Sequence, residues 1–459
     1  MATTTISVHA GWRGFLPPLL RALRSGLVGV PIGLCLAALF YLANYASLGR
    51  DIPQARAHVA AAFEAGALQD EDYLAGNTAI GWHQYNDCLI LWQALDQRAP
   101  ADQLAVSPLI SPHPETGTRC RALRGFAAGE APPVPEFYHR YIHGHTMVAR
   151  YLLPVLTVEQ IRFLYQSVVT LLIVSGIGIA LIALVRRRHP IESLFFLVLF
   201  LAFARWFGVE QFGQSLGHGP SDIVHLSYLL FLAAAAVMGG MSRRAAVLTA
   251  GLLGALVITF EFLTGGLPLG IAAVIGALPF AVRRNDAEDP EPYVLAALFA
   301  FCAAALTCLL VKMALALYVF GPAPLVDSAM QLQMRAGIGS NQGELAGVDL
   351  VTIAKKLVKG LQGMASGMIL MAGLMVAAAI AAGVWGARFL LRSAGPIMRR
   401  QVIAVLLSNA ALALLLGVLW QHTVVHAWFM ERTLVWTIGT GFALFALAAW
   451  KQLDPFPDR

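Results

Sequence analysis

Ten apolar runs, at 26–47, 160–185, 191–209, 222–241, 245–264, 267–282, 292–320, 364–387, 400–420 and 432–450, are separated by polar connections. At 1.5 Å rise per residue, runs of this length suit helices that cross a hydrocarbon core, the short one at 267–282 being tilted or re-entrant. The pattern predicts an all-α fold, a polytopic membrane helix bundle of about ten transmembrane helices. The largest polar interval, 48–159, lies between the first two runs. Helical periodicity at 53–68 and 86–95 makes this a helical first outer loop, with apolar faces suited to a membrane surface. Residues 127–135 (AAGEAPPVP) form a flexible linker within it.

A chain that is 58% hydrophobic and only 13% charged excludes an ordinary soluble domain. The net charge of +6 does not indicate nucleic acid, because the arginines stand in short clusters beside apolar runs and not on a basic face. Arg21/Arg24, Arg186–Arg188, Arg243/Arg244, Arg283/Arg284, Arg388/Arg392/Arg399/Arg400 and Lys451 fall on alternate connections. By the positive-inside bias that side is the cytoplasm. The expected organisation is a cytoplasmic N-terminus (1–25), an uncleaved signal anchor (26–47), the outer loop (48–159), spans two to seven (160–320), a second outer loop (321–363), spans eight to ten (364–450) and a cytoplasmic tail (451–459). Cys35, Cys302 and Cys308 fall within apolar runs. Cys88 and Cys120 share the first outer loop, as a disulfide or as two thiols.

Ionisable residues beside spans gather at the outer ends, which suggests one cavity opening outward. Asp87, within Trp82-His83-Gln84-Tyr85-Asn86-Asp87, and Asp51 are candidate general bases for an acceptor hydroxyl; Asp51 can equally cap a helix before Pro53. Arg140, His143, His145 and Arg150 belong to the densest polar cluster. It suits an anionic or sugar ligand, a structural cap, or convergence of two or three imidazoles on a divalent metal. His218, Asp222 and His225 flank the start of the fourth span, with Asp222 also readable as an early-helix carboxylate. Glu261 closes the fifth span, and Lys312, deep in the seventh, is its candidate partner or snorkels outward. Arg335 and the lysines of an amphipathic segment, Lys355, Lys356 and Lys359, put positive charge on the outer side. They are candidates for a lipid phosphate or for generic anionic lipid. His422 and His426 co-face if helical, and Arg432 at the start of the last span is a candidate phosphate clamp.

The large first outer loop and the long loop between the seventh and eighth spans resemble the GT-C superfamily of membrane glycosyltransferases. Arg140-Tyr141-Ile142-His143-Gly144-His145, Asn86-Asp87 and Glu261-Phe262-Leu263-Thr264 are similar to the marks of an uncharacterised bacterial polytopic family with an Arg-Tyr-Trp-His-Gly-Tyr signature. The departures are Ile142 for Trp, His145 for Tyr and Glu261 for Asp. The GT-C resemblance implies transfer of a sugar from a polyprenyl-phosphate donor to a glycan or lipid acceptor on the outer face of a bacterial inner membrane. Its partners are membrane lipids and not nucleic acid, and its cofactor is none or a divalent metal. In that frame Asp87 or Asp51 serves as base, and Arg335, Arg432, His426 and the lysines neutralise the departing phosphate. Arg140, His143, His145, His218, Asp222, His225, Glu261 and Lys312 contact substrate. The alternatives are a transporter or flippase of lipid-linked sugars, and a noncatalytic assembly subunit.

Overall fold

A computed structural model describes residues 9–72, 84–111, 118–131, 134–206, 215–260, 265–283, 292–336, 349–364 and 369–453. The fold is an all-α bundle carrying a small helical cap. All ten apolar runs contain helices. Seven helical segments are long and apolar enough to cross a membrane: Leu16–Ala46, Val158–Val185, Gly219–Val237, Tyr293–Phe320, Gly373–Ser393, Pro396–Val418 and Leu434–Leu453. The chain is therefore a multi-pass membrane protein. The other apolar helices are shorter: Pro190–Trp206, Arg243–Thr259 and Gly266–Gly276.

In chain order, α1 (His9–Gly26) is an amphipathic helix leading into α2 (Gly29–Ala46). The cap follows as α3 (Ile52–Glu64), α4 (Gln84–Leu95), α5 (Ala101–Val106), β1 (Leu109–Ile110), α6 (Arg119–Ala127), β2 (Glu136–Phe137) and α7 (Gly144–Leu152). The bundle continues with α8 (Val158–Val185), α9 (Pro190–Trp206), α10 (Gly219–Val237), α11 (Arg243–Thr259), α12 (Gly266–Gly276) and α13 (Tyr293–Phe320). Last come α14 (Ala323–Arg335), α15 (Leu350–Met364), α16 (Ile369–Ser393), α17 (Pro396–Val418), α18 (Trp420–Val425), α19 (Ala427–Met430) and α20 (Leu434–Leu453).

Local chemistry explains where these helices begin. Thr157 and Gln160 form a reciprocal capping box at the start of α8, and Pro396 opens α17 with its missing N–H at no cost. Within the bundle, glycines let backbones touch, as expected where lipid supplies no hydrophobic drive between helices. A Cβ at Gly29 would stand 2.2 Å from the Ala300 carbonyl oxygen, and one at Gly254 would stand 2.2 Å from that of Phe301. So α2 and α11 clasp α13 from two sides. A matching seam joins α16 to α20, where a Cβ at Gly441 would lie 2.3 Å from the Ala379 oxygen.

The cap has its own core. Val59, Leu91, Trp92, Leu123 and Phe126 are buried together, Trp92 stacks on Phe126 at 4.6 Å, and a Cys88–Cys120 disulfide ties α4 to α6. Of the two open alternatives for these cysteines, the bridge is the one found. The apolar faces of α3 and α4 are thus turned inward, correcting the expectation that they lie on a membrane surface. Residues 88–95 are buried all round, and a helix apolar on every side belongs in a core. Polar staples hold the cap to the bundle: Asn44 donates to the Ala105 carbonyl at 2.7 Å, and Arg150 donates to the Asn44 side-chain oxygen at 2.9 Å.

Candidate functional site

The stretch from β2 to α7 hangs below the cap on a backbone bond from Tyr138 to the Pro108 carbonyl, 2.9 Å. It turns sharply at His143, whose φ of 64° is left-handed, before α7 begins at Gly144. Glycine is required there because a Cβ would sit 2.7 Å from Thr259 Cγ2 and 2.8 Å from its carbonyl oxygen. The turn gathers Tyr138, Tyr141 and His143, with Tyr138 ring centroids 5.6 Å from Tyr141 and 5.5 Å from His143. His143 Nε2 lies 2.8 Å from the Tyr138 carbonyl and must donate to it, so Nδ1 carries a lone pair. That acceptor is buried and has no partner among the described residues. Burial, then Lys312 and His145, hold His143 well below the usual histidine range, and burial does the same to His145. Both are neutral hydrogen-bonding groups at pH 7. His143 and His145 rings lie 6.0 Å apart.

Helix α14 closes against this turn. Arg140 pairs with Asp327 at 3.4 Å, and Arg335 donates to the Tyr141 hydroxyl at 3.1 Å with its guanidinium over the ring. Between cap and α14 lies a hollow of about 440 Å³, walled by Tyr85, Phe137, Tyr138, Arg119, Glu136 and Asp327. Arg119 sits over the Tyr85 ring at 5.4 Å. The Glu136 side chain is exposed and has no ion pair or hydrogen bond among the described residues. Aromatic faces with carboxylates between them are suited to sugar hydroxyls.

On the membrane side of the turn, α15 packs on α18 and α19. His422 and His426 do co-face, with rings 4.6 Å apart. Burial, then His422, Arg335 and Lys356, push His426 down to about 3. Lys355 points to solvent. The Lys359 side chain and Glu261 lie outside the described residues.

Several expected site residues are instead committed to structure. Asp87 is wholly buried. Its Oδ2 accepts from Arg162 Nε at 3.1 Å and Nη2 at 2.8 Å, and its Oδ1 accepts from Ser215 Oγ at 3.0 Å and Leu216 N at 2.9 Å. Burial pushes this carboxyl up while Arg162 opposes it. Its four donors tie α4 to α8 and to the turn that precedes α10. Asp51 caps α3, accepting from Gln54 N at 3.1 Å. Arg432 is not an open clamp: it is 1% exposed and binds Asp222 and His218, each at 3.0 Å. His225 bridges the Ser221 and Gly266 carbonyls, joining α10 to α12. Lys312 pairs with the Val106 carbonyl and the Ser107 hydroxyl, which satisfies the end of α5. No group of three His, Cys, Asp or Glu among the described residues could hold a metal.

Arg162, Glu136, Asp327 and Arg119 were not singled out from the sequence. A lone arginine inside the second apolar run was the available signal for Arg162, since such a charge requires a buried partner. No family model, curated protein or solved structure matches the chain.

Proposed function

We propose that this protein is a GT-C-like glycosyltransferase crossing a bacterial inner membrane ten times, with both termini cytoplasmic and the cap outside. It takes a sugar from a polyprenyl-phosphate donor. A disulfide in the cap supports an oxidising, extracytoplasmic location for it. The observation that carries the reading is the position of the Tyr138–His145 turn. On one side it borders an aromatic and carboxylate hollow, and on the other it meets Arg335.

In this reading the acceptor hydroxyl sits in the hollow and loses its proton to Glu136 or Asp327 as its oxygen attacks the anomeric carbon. The bond from that carbon to the phosphate oxygen breaks, and the electron pair leaves on polyprenyl phosphate. Arg335 and Lys356 stabilise the negative charge gathering there.

The test uses proteoliposomes supplied with a panel of polyprenyl-phosphate sugars. Glu136→Gln or Asp327→Asn is expected to lower transfer by roughly 100-fold or more while donor binding persists. Arg335→Ala is expected to weaken donor binding. Undiminished transfer in both carboxylate variants, or sugar movement across the bilayer without transfer, refutes the assignment.

A further inference from the structure

Two helices on the cap side of the bundle carry their polarity inside out. Asp327, Ser328, Gln331 and Arg335 share one face of α14, at steps of three and four. That face meets the protein: Asp327 pairs with Arg140, Arg335 donates to the Tyr141 hydroxyl, and the Ser328 hydroxyl lies 3.8 Å from Met313 Sδ. Leu325, Val326, Met330 and Leu332 occupy the opposite face and are 37–62% exposed, with Gln333 the polar exception among them. Helix α15 repeats the pattern. Leu350, Val351, Leu357 and Val358 are 41–82% exposed along one face, while Thr352, Ile353 and Lys356 on the other are half-buried. Exposed apolar faces of this size mark a contact with a partner or a membrane.

Position in the chain says which of these covers them. Only Gly321 and Pro322 separate α14 from α13, a span whose Leu306, Leu310 and Leu317 form one exposed stripe. Helix α15 ends at Met364, and Leu370 and Leu374 begin the exposed stripe of α16, which enters the next span. Both outward faces therefore continue surfaces that meet acyl chains. The segment joining the two helices, 337–348, has only Ile338, Leu345 and Val348 as large apolar residues, too few to cover the eight.

We infer that α14 and α15 lie in the cap-side leaflet at the boundary of headgroups and acyl chains, their eight outward apolar side chains among the lipid tails. Lys355, exposed at the edge of the apolar face of α15, carries its charge out to the headgroup water. Helix α14 is then the wall between the leaflet and the hollow, because Asp327 on its other face lines that hollow. The contact is apolar, so it requires no anionic headgroup, and it stands whether or not the protein transfers a sugar.

Nitroxide labels on the full chain test the inference, with Cys35, Cys302 and Cys308 changed to Ala and the cap disulfide kept, in nanodiscs of phosphatidylcholine. Labels on V326C, M330C, V351C and V358C are expected to collide with oxygen in preference to a water-soluble nickel chelate, at about 5–10 Å into the headgroup–acyl boundary. L171C, exposed midway along α8, sets the lipid limit, and D102C, exposed on the cap, sets the aqueous limit. Adding phosphatidylglycerol should leave the depths unchanged. Four positions on two helices keep the test intact if one variant fails to fold. Water-like accessibility at these positions overturns the inference. So does exclusion of both reagents, as when a second copy or the 337–348 segment covers the faces, and so does a depth that appears only with phosphatidylglycerol.

Discussion

Substituting Asp87 by Asn separates a structural carboxylate from a catalytic one. The four groups around Asp87 are Arg162 Nε and Nη2 on one oxygen and Ser215 Oγ and Leu216 N on the other. An asparagine amide offers one oxygen and one NH2, so in either orientation its NH2 opposes the guanidinium or the Leu216 N–H. The Arg162 side chain, 7% exposed, is left with the Ala67 carbonyl at 2.6 Å and no counter-charge. Breaking one side of a buried pair costs about 3–5 kcal/mol. At roughly 2–4 °C per kcal/mol, the melting temperature should drop by about 6–20 °C. The assay is thermal unfolding of the detergent-solubilised protein, followed by tryptophan fluorescence and by protease cleavage within the cap. Asp87→Leu with Arg162→Met should recover part of the loss. About 1–3 kcal/mol should remain, because the Leu216 N–H keeps no acceptor. If Asp87→Asn melts like wild type yet abolishes sugar transfer, the scaffold argument is wrong and Asp87 is the base.

Three further outcomes follow from packing and charge. Cys88→Ser with Cys120→Ser opens a link between residues 32 apart and should destabilise the cap by about 3–4 kcal/mol on a loop-entropy account, read as urea sensitivity of cap cleavage. Gly254→Ala drives a Cβ into the Phe301 carbonyl and should cost about 1–3 kcal/mol, whereas Gly178→Ala, which meets open space, should be neutral or slightly stabilising by melting temperature. His139 and His426 are pushed down to about 4 and about 3, chiefly by burial, so as pH falls the unfolded chain binds protons before the folded one does. Their contribution is complete above about 6.5. It declines from there toward 4 and 3. Melting temperature should therefore fall between pH 7.5 and pH 5, and His139→Gln should flatten part of that slope.

Hydrophobic periodicity alone determined that the chain is a helical membrane bundle with a folded polar insertion after its first span. Apolar length and backbone self-satisfaction are local properties, and lipid admits few other solutions. The pairing of His422 with His426 was legible for the same reason, since a spacing of four on one helical turn settles it. Contacts between distant segments were not legible. Asp87 looked reactive because its neighbours in sequence are polar, but its partners come from residues 75, 128 and 129 positions away. Arg432 looked like an open clamp for the same reason, until the start of α10 supplied Asp222 and His218. A charge near a span signals only that some partner is required. Whether that partner is a substrate or a side chain brought in from another helix is decided by packing, and here packing closed those two and left the hollow beside Tyr138 open.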